Sequence, residues 1–290
     1  MKPRIALALA VISAGFLLSG CSVKKIALNT GVEFLDKGIE AIFEEKDPEF
    51  AEASLASHLK LLEILHKNDP SNPKLLAYLS QGFGAYAFLF IEPRDAERAR
   101  GFYARGRDYG LIALNKRCGL NLAAESDPNK VAAALRKLSK SDAALLFWTA
   151  YSWGGLAAIS LDDPETLAQL PKIEKMMLRV QELQPGFFYG GAEIFLGSYY
   201  GSRPKMFGGD LIKSKAFFEQ ALRYSGSKFL MSQVLMAKYY AVPAQDEAVY
   251  REHLGRVLDF ALDQFPEQRL SNAIAQRRAK KLLEEIHEHF

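Results

Sequence analysis

Two glycine pairs in this chain have the spacing of nucleotide-binding motifs, but each lacks a part that the chemistry requires. Gly82 and Gly84 are spaced as in a dinucleotide-binding turn, yet a helical pattern surrounds them and no strand pattern precedes them. Gly101 and Gly106 are spaced as in a phosphate-binding loop, without the lysine and hydroxyl that contact phosphate and magnesium. We interpret the first pair as a helix contact through small residues, and neither pair predicts a nucleotide site.

The other polar residues do not form a recognisable catalytic or metal-binding pattern. The chain has no His-Glu-x-x-His motif, no cysteine pair spaced for zinc and no Gly-x-Ser-x-Gly turn, and its histidines lack ligand spacing. Asp162 and Asp163 could form a carboxylate pair, but Asp163 precedes Pro164 and is better explained as a helix cap. We therefore predict that the protein is not an enzyme and has neither a metal site nor a cofactor.

The N-terminus predicts export and a covalent lipid. Lys2 and Arg4 precede a 14-residue apolar run over residues 5–18, which is typical of a signal peptide and too short to span a bilayer. The run ends in Leu-Ser-Gly before Cys21, and this stretch resembles a bacterial lipobox. The resemblance implies cleavage before Cys21, which then carries diacylglycerol and an N-acyl chain such as palmitate. The alternative is an ordinary signal peptide that ends near a cysteine.

These features predict three segments and a periplasmic location. We expect a lipoprotein signal peptide over residues 1–20, a lipidated tether over 21–30 and a single all-α repeat domain over 31–290. Ser22 is not the aspartate that resembles an inner-membrane retention signal, so we expect anchoring to the outer membrane. Loss of Lys2 and Arg4 with the leader lowers the net charge from +3 to +1, which predicts no nucleic-acid partner.

The remaining chain has the pattern of successive helices. Apolar residues recur at spacings of three and four, and alternating strand patterns are nearly absent. No later segment is apolar over enough length to cross a membrane, since the most apolar one covers only residues 83–91. We predict an all-α fold of about ten to twelve helices. Four capping residues that precede a proline indicate helix starts: Asp47-Pro48, Asn72-Pro73, Asp127-Pro128 and Asp163-Pro164.

An internal repeat with an offset of 40 residues predicts how the helices are arranged. Its order of large, small and aromatic positions resembles the tetratricopeptide repeat of 34 residues, with a longer link between the paired helices. We therefore predict stacked antiparallel helix pairs in a tetratricopeptide-like α-solenoid with a concave face. The matched positions are Leu196, Gly197 and Tyr200 with Met236, Ala237 and Tyr240, and Ser214, Phe218, Ala221 and Leu222 with Leu254, Leu258, Ala261 and Leu262.

Residues 186–209 combine aromatic side chains with glycines, as the mouth of a ligand site often does. The alternative is that the rings fill the core while the glycines form a turn. On the first interpretation, residues 199–209 line the mouth, and a helix before them offers two tryptophans as a second position. The candidate ligand-binding or partner-binding residues are Trp148, Trp153, Tyr199, Tyr200, Arg203, Phe207, Gly208 and Gly209.

A family resemblance covers the whole mature chain in order. Residues 199–204, Tyr-Tyr-Gly-Ser-Arg-Pro, followed by Phe-Gly-Gly-Asp at 207–210, are similar to the signature of the T component of TRAP transporters, the TatT family. Residues 217–222, Phe-Phe-Glu-Gln-Ala-Leu, and the Trp-Gly-Gly at 153–155 also match. The ending Asn272-x6-Ala279-x2-Leu282-Leu283 fits the same family. Arg203 departs from the pattern, in which a smaller or apolar residue is usual.

The resemblance implies a function without catalysis. TatT proteins are periplasmic lipoproteins of degenerate tetratricopeptide-like helices that associate with the solute-binding protein of a tripartite ATP-independent periplasmic transporter. It also implies a homotrimer with pores or clefts suited to an apolar ligand, whereas a cation at Arg203 would suit a carboxylate. An outer-membrane scaffold for protein assembly is the alternative function, and a cell-wall enzyme is a second one.

Overall fold

The computed structural model of the protein describes residues 35–160 and 163–290. The predicted signal peptide, Cys21 with its tether, the first residues of the predicted domain and Asp162 lie outside these ranges. The chain divides into two compact units, Met1–Ile42 and Phe43–Phe290. In the first unit only residues 35–42 are described, and they are helical.

The all-α prediction is confirmed, because the described residues contain helices and turns and no strand. Twelve α-helices follow from Pro48 onward, and π-helical turns over Ala87–Ile91 and Ala237–Ala241 extend α2 and α10. The helices are α1 (Pro48–Asn68), α2 (Pro73–Tyr86), α3 (Ala96–Cys118), α4 (Pro128–Leu135), α5 (Ala143–Ala158), α6 (Pro164–Leu167), α7 (Leu170–Leu183), α8 (Phe187–Gly201), α9 (Leu211–Ser225), α10 (Met231–Met236), α11 (Glu247–Asp259) and α12 (Arg269–Glu284).

All four predicted caps begin a helix. The Asp47 carboxylate accepts hydrogen bonds from the backbone N–H groups of the first turn of α1, and Asn72, Asp127 and Asp163 do the same for α2, α4 and α6. Each proline occupies the first helical position, where its missing N–H has no partner to lose. The apolar stripe after Asp163 does not form one helix, however, because the chain breaks between α6 and α7.

The helices pack as a row of pairs. Helices α2, α5, α8 and α10 contact one another in that order, and α3, α7, α9 and α11 each pack beside them. The core between the pairs is filled by large side chains such as Phe83, Phe147 and Phe218, all fully buried. Such units bury their apolar faces only by stacking on their neighbours, as the tetratricopeptide-like prediction expects.

The last helix brings the two ends of the row together. Helix α12 contacts α10, α11 and α1. The Arg277 guanidinium binds both oxygens of Glu49 on α1, at 2.5 and 3.0 Å. Arg269 donates to the backbone oxygen of Glu44 at 3.0 Å. The row of helix pairs in the unit Phe43–Phe290 therefore closes into a ring.

The predicted 40-residue offset is correct for the first helices of the repeat and wrong for the second. Gly201 and Ala241, 40 residues apart, end the first helices, and both are buried. The link to the second helix has nine residues (202–210) in one copy and five (242–246) in the other. The second helices are therefore offset by 36, so that buried Leu254 is equivalent to Phe218, whereas Leu258 is 40% exposed.

One helix corrects the expectation that no later segment has the length and apolarity to cross a membrane. The π-helical turn extends α2 so that Pro73–Ile91 covers 19 residues of sufficient mean hydropathy. In the structure, 72% of this segment is buried against other helices. Its apolar character is explained by its place in the core of the ring, between α1, α3 and α5.

Candidate functional site

A continuous set of aromatic rings connects helix pairs around the ring. Phe88 contacts Tyr151 with ring centroids 5.9 Å apart, and Tyr151 contacts Trp148 at 5.4 Å. Trp148 lies 4.8 Å from Phe188, which contacts Phe229 at 5.7 Å. We call these residues and Tyr189 the aromatic cluster: Phe88, Trp148, Tyr151, Phe188, Tyr189 and Phe229. Four of its members, Phe88, Tyr151, Phe188 and Tyr189, are only half-buried, so the cluster presents an accessible apolar face.

The backbone at the centre of this cluster is in an unusual conformation. Phe188, Tyr189 and Gly190 have φ values of 47°, 59° and 81°, in the left-handed region that residues with a Cβ rarely adopt. Strain of this kind persists only where the surroundings hold it, and it is frequent at ligand sites. Here the Phe188 and Tyr189 rings both contact Phe229, and Phe188 also contacts Trp148. The strained turn thus directs two adjacent aromatic side chains into the cluster.

A cation lies at one edge of the aromatic cluster. The Arg278 guanidinium of α12 stacks on the Phe88 ring, 4.2 Å from its centroid, and donates to the Phe88 backbone oxygen. Its other hydrogen-bond contact is the Met231 sulfur at 4.0 Å, and among the described residues it makes no ion pair. Burial, followed by the charge of Glu92, raises the pKa of Tyr151, and the Arg278 charge opposes this effect. Arg278 therefore offers positive charge beside an apolar face.

Tyr199 and Tyr200, at the end of α8, share one carboxylate. Both hydroxyls donate to Glu174 of α7, Tyr199 to Oε2 at 3.2 Å and Tyr200 to Oε1. Both side chains are buried, and the Phe217 ring stacks on Tyr200. Burial and then the hydrogen bond to Glu174 raise the pKa of Tyr200, so this hydroxyl stays neutral. The arrangement joins α7 to α8 and leaves little of either ring accessible to a ligand.

Arg203 is bound within its own loop. Its guanidinium lies 3.6 Å from the centroid of the Tyr199 ring. The Nε atom donates to the Tyr199 backbone oxygen at 3.0 Å, and Nη2 donates to that of Gly208 at 3.4 Å. These contacts fasten the loop to the end of α8, and they occupy the face of the guanidinium that stacks on Tyr199.

The two glycines of the loop are explained by its own backbone. Gly208 has φ of 85°, and a Cβ on Gly209 would overlap the backbone oxygen of Arg203. Three backbone hydrogen bonds between residues 204 and 209, of 2.9–3.1 Å, hold the turn. Phe207 points outward instead and is 65% exposed. The turn therefore has a defined backbone and presents this ring to its surroundings.

Trp153 lies apart from these groups, at a polar cleft of about 380 Å³. Lys172 places its ammonium 5.3 Å from the Trp153 ring centroid, and burial lowers the pKa of this lysine. The Trp153 side chain itself is 2% exposed. The other residues that line the cleft are polar or small: Arg107, Asp108, Ala123, Asp163, Glu165, Thr166 and Gln169.

Comparison with known proteins gives the chain its family. The family model of the TRAP transporter T-component matches residues 44–290. The chain belongs to the TRAP transporter T-component family. It is also similar to an uncharacterized protein of Treponema pallidum (strain Nichols), 26% identical over 306 residues that cover 94% of each chain. As a T component it has an accessory role in TRAP transport.

In this T component the eight candidate residues lie in three places. Trp148 belongs to the aromatic cluster and Trp153 to the polar cleft. The other six form one continuous region at the end of α8 and in the loop after it: Tyr199, Tyr200, Arg203, Phe207, Gly208 and Gly209.

The sequence interpretation did not select the other members of the aromatic cluster or Arg278. Phe188 and Tyr189 lie in the region 186–209 that was noted for its aromatics, which was the available signal. Arg278 was interpreted as part of an exposed, charged helix face. The i,i+4 pairs expected there form between Lys280 and Glu284 and between Lys281 and Glu285, whereas Arg278 is directed at Phe88.

Proposed function

We propose that this T component is a lipid-anchored periplasmic lipoprotein that docks the solute-binding protein of its transporter and holds a small organic ligand. The observation that carries the proposal is the family match over residues 44–290. Covalent lipid on Cys21 anchors the chain to the outer membrane, and the folded domain performs no chemistry. A homotrimer is the assembly that the family resemblance suggests.

The aromatic cluster is the position that we propose for the ligand. Its half-buried rings suit an apolar body, and aromatic side chains supply most of the contact area in small-molecule sites. Arg278 suits a carboxylate at one end of that body, since a guanidinium binds carboxylates with two parallel hydrogen bonds. Arg203, whose guanidinium is already engaged by Tyr199 and Gly208, fits this role less well.

The ligand proposal is tested with anilinonaphthalene sulfonate, a fluorescent anion with an apolar body. We expect the Arg278→Gln variant to weaken binding to the full chain by at least about tenfold, because a hydrogen bond to a charged group contributes roughly 1.5–3 kcal/mol. Arg277→Gln, the adjacent change on the same helix, is the matched control and should bind normally, since Arg277 pairs with Glu49. Equal binding by both variants would remove Arg278 from the site.

The partner proposal needs a separate measurement. The solute-binding protein of the same transporter should bind the full chain in a titration calorimetry experiment. Absence of binding with an intact fold would contradict docking without affecting the ligand proposal. Mass spectrometry of the mature N-terminus tests the lipid, and an unmodified Cys21 would contradict the anchor.

A further inference from the structure

The three most exposed large apolar side chains among the described residues lie within seven positions of one another. Ile212 is 85% exposed, Met206 82% and Phe207 65%. Single exposed apolar residues are ordinary, but a group of them indicates an interaction surface. They occupy the tip of the link 202–210 and the first turn of α9. We call this group of three the apolar tip.

The apolar tip does not stabilise the loop that carries it. The backbone of the loop is held by its own hydrogen bonds, by the N–H of Asp210 donating to Tyr200, and by Arg203. The side chains of Met206 and Phe207 remain outside these contacts. A preformed backbone that holds apolar side chains in solvent loses little conformational entropy when those side chains are buried elsewhere.

The surroundings of the apolar tip are cationic. Between residues 202 and 216 the chain has four lysines and arginines and one acid. Lys205, Lys213 and Lys215 are exposed. The acid, Asp210, accepts hydrogen bonds from the backbone N–H groups of Ile212 and Lys213 at 3.0 Å, and is occupied as the cap of α9. The tip is therefore an apolar group inside a ring of lysines.

We infer that the apolar tip inserts into the interface of a membrane with anionic headgroups. Apolar side chains enter the boundary between headgroups and acyl chains, and flanking lysines are attracted to anionic lipid. Protein interfaces are instead depleted in lysine, which argues against a protein as the occupant. A second copy of this chain would bring like charges together in a two-fold contact. The inference rests on the proposed lipid anchor, which would hold the chain beside such a surface.

The test places a fluorescent reporter on the tip of the full, lipid-anchored chain. Met206→Cys is labelled with a nitrobenzoxadiazole dye, and Ile112→Cys, at an apolar position of α3 that is 50% exposed, is the matched control. Native Cys118 is buried and does not compete for the label. Both proteins are reconstituted into vesicles of phosphatidylethanolamine and phosphatidylglycerol that contain brominated acyl chains. We expect quenching and a blue shift at position 206 and neither at position 112.

The charge requirement is tested by changing Lys205, Lys213 and Lys215 to Gln together. Each lysine near an anionic surface contributes about 1 kcal/mol, so the ratio of inserted to free loop should fall on the order of 100-fold. Vesicles of phosphatidylcholine alone should give the same loss with the unchanged lysines. Quenching that is insensitive to both changes would overturn the role of charge in the inference.

Flotation of the same vesicles separates the anchor from the loop. A chain that floats without quenching at position 206 overturns the loop inference and leaves the anchor standing. A chain that does not float overturns both. A blue shift at position 206 that requires the solute-binding protein, and not lipid, would make the tip a protein-docking surface and would also overturn the inference.

Discussion

The α8/α9 pair and the α10/α11 pair are equivalent in the ring, and they differ mainly in the link between their helices. Asp210 caps α9 and Asp246 caps α11, each accepting from backbone N–H groups of the first turn. The nine-residue link presents Met206 and Phe207 to solvent, whereas the five-residue link exposes no large apolar side chain. Four additional residues thus add a surface feature to a repeat whose core is unchanged.

The comparison shows why function concentrates at one copy of a repeat. The core positions of both copies are restricted by packing, since each helix must fill the space between its neighbours. A link at the surface carries no such restriction and tolerates insertion. A change at an equivalent core position should therefore have similar effects in both pairs, and a change in the link should not.

The largest expected effect tests the 36-residue register that the shorter link produces. Leu254→Ala should lower the free energy of unfolding by about 2–5 kcal/mol, because it leaves a cavity at a fully buried position. Leu258→Ala should lower it by only about 0.5 kcal/mol, since this side chain is 40% exposed. Urea titration of both variants measures the difference. The reverse order would restore the 40-residue register.

The helix starts could be predicted from the sequence, and this register could not. A capping side chain before a proline acts on backbone groups within three residues, so Asp47 and Asn72 needed no knowledge of the fold. Leu254 and Leu258 both fit an apolar stripe, and only the packing of α11 against α10 and α12 decides which one is buried. The left-handed Phe188 and Tyr189 were also beyond local rules, because propensity opposes that conformation and ring contacts from other helices hold it.

The second effect compares two tyrosines that are 40 residues apart and end the first helices. Tyr200→Phe removes the hydrogen bond to Glu174 and should cost roughly 1.5–3 kcal/mol, the range for a charged acceptor. The Tyr240 hydroxyl makes no hydrogen bond to the described residues, so Tyr240→Phe should leave the melting temperature nearly unchanged. Equal losses would show that the carboxylate contributes nothing specific to the α8 copy.

The third effect compares a glycine of the long link with a glycine of α11. Gly209→Ala should destabilise the protein by about 1–3 kcal/mol, because its Cβ would overlap the Arg203 backbone oxygen. Gly255→Ala has open space and a helical backbone, and should stabilise by roughly 0.5–1 kcal/mol. Calorimetric melting of the two variants gives the sign of each change. Stabilisation by both would mean that the link backbone is not fixed.

The smallest expected effect separates the backbone of the long link from the side chains at its tip. Met206→Ser and Phe207→Ser remove apolar side chains that are 82% and 65% exposed, so the free energy of unfolding should change by no more than about 0.5 kcal/mol. The same variants should reduce insertion into anionic vesicles, because burial of these side chains drives it. A loss of stability as large as that of Gly209→Ala would instead mean that the tip packs against the protein. The long link would then be a structural insertion, and its difference from the link of the α10/α11 pair would carry no function.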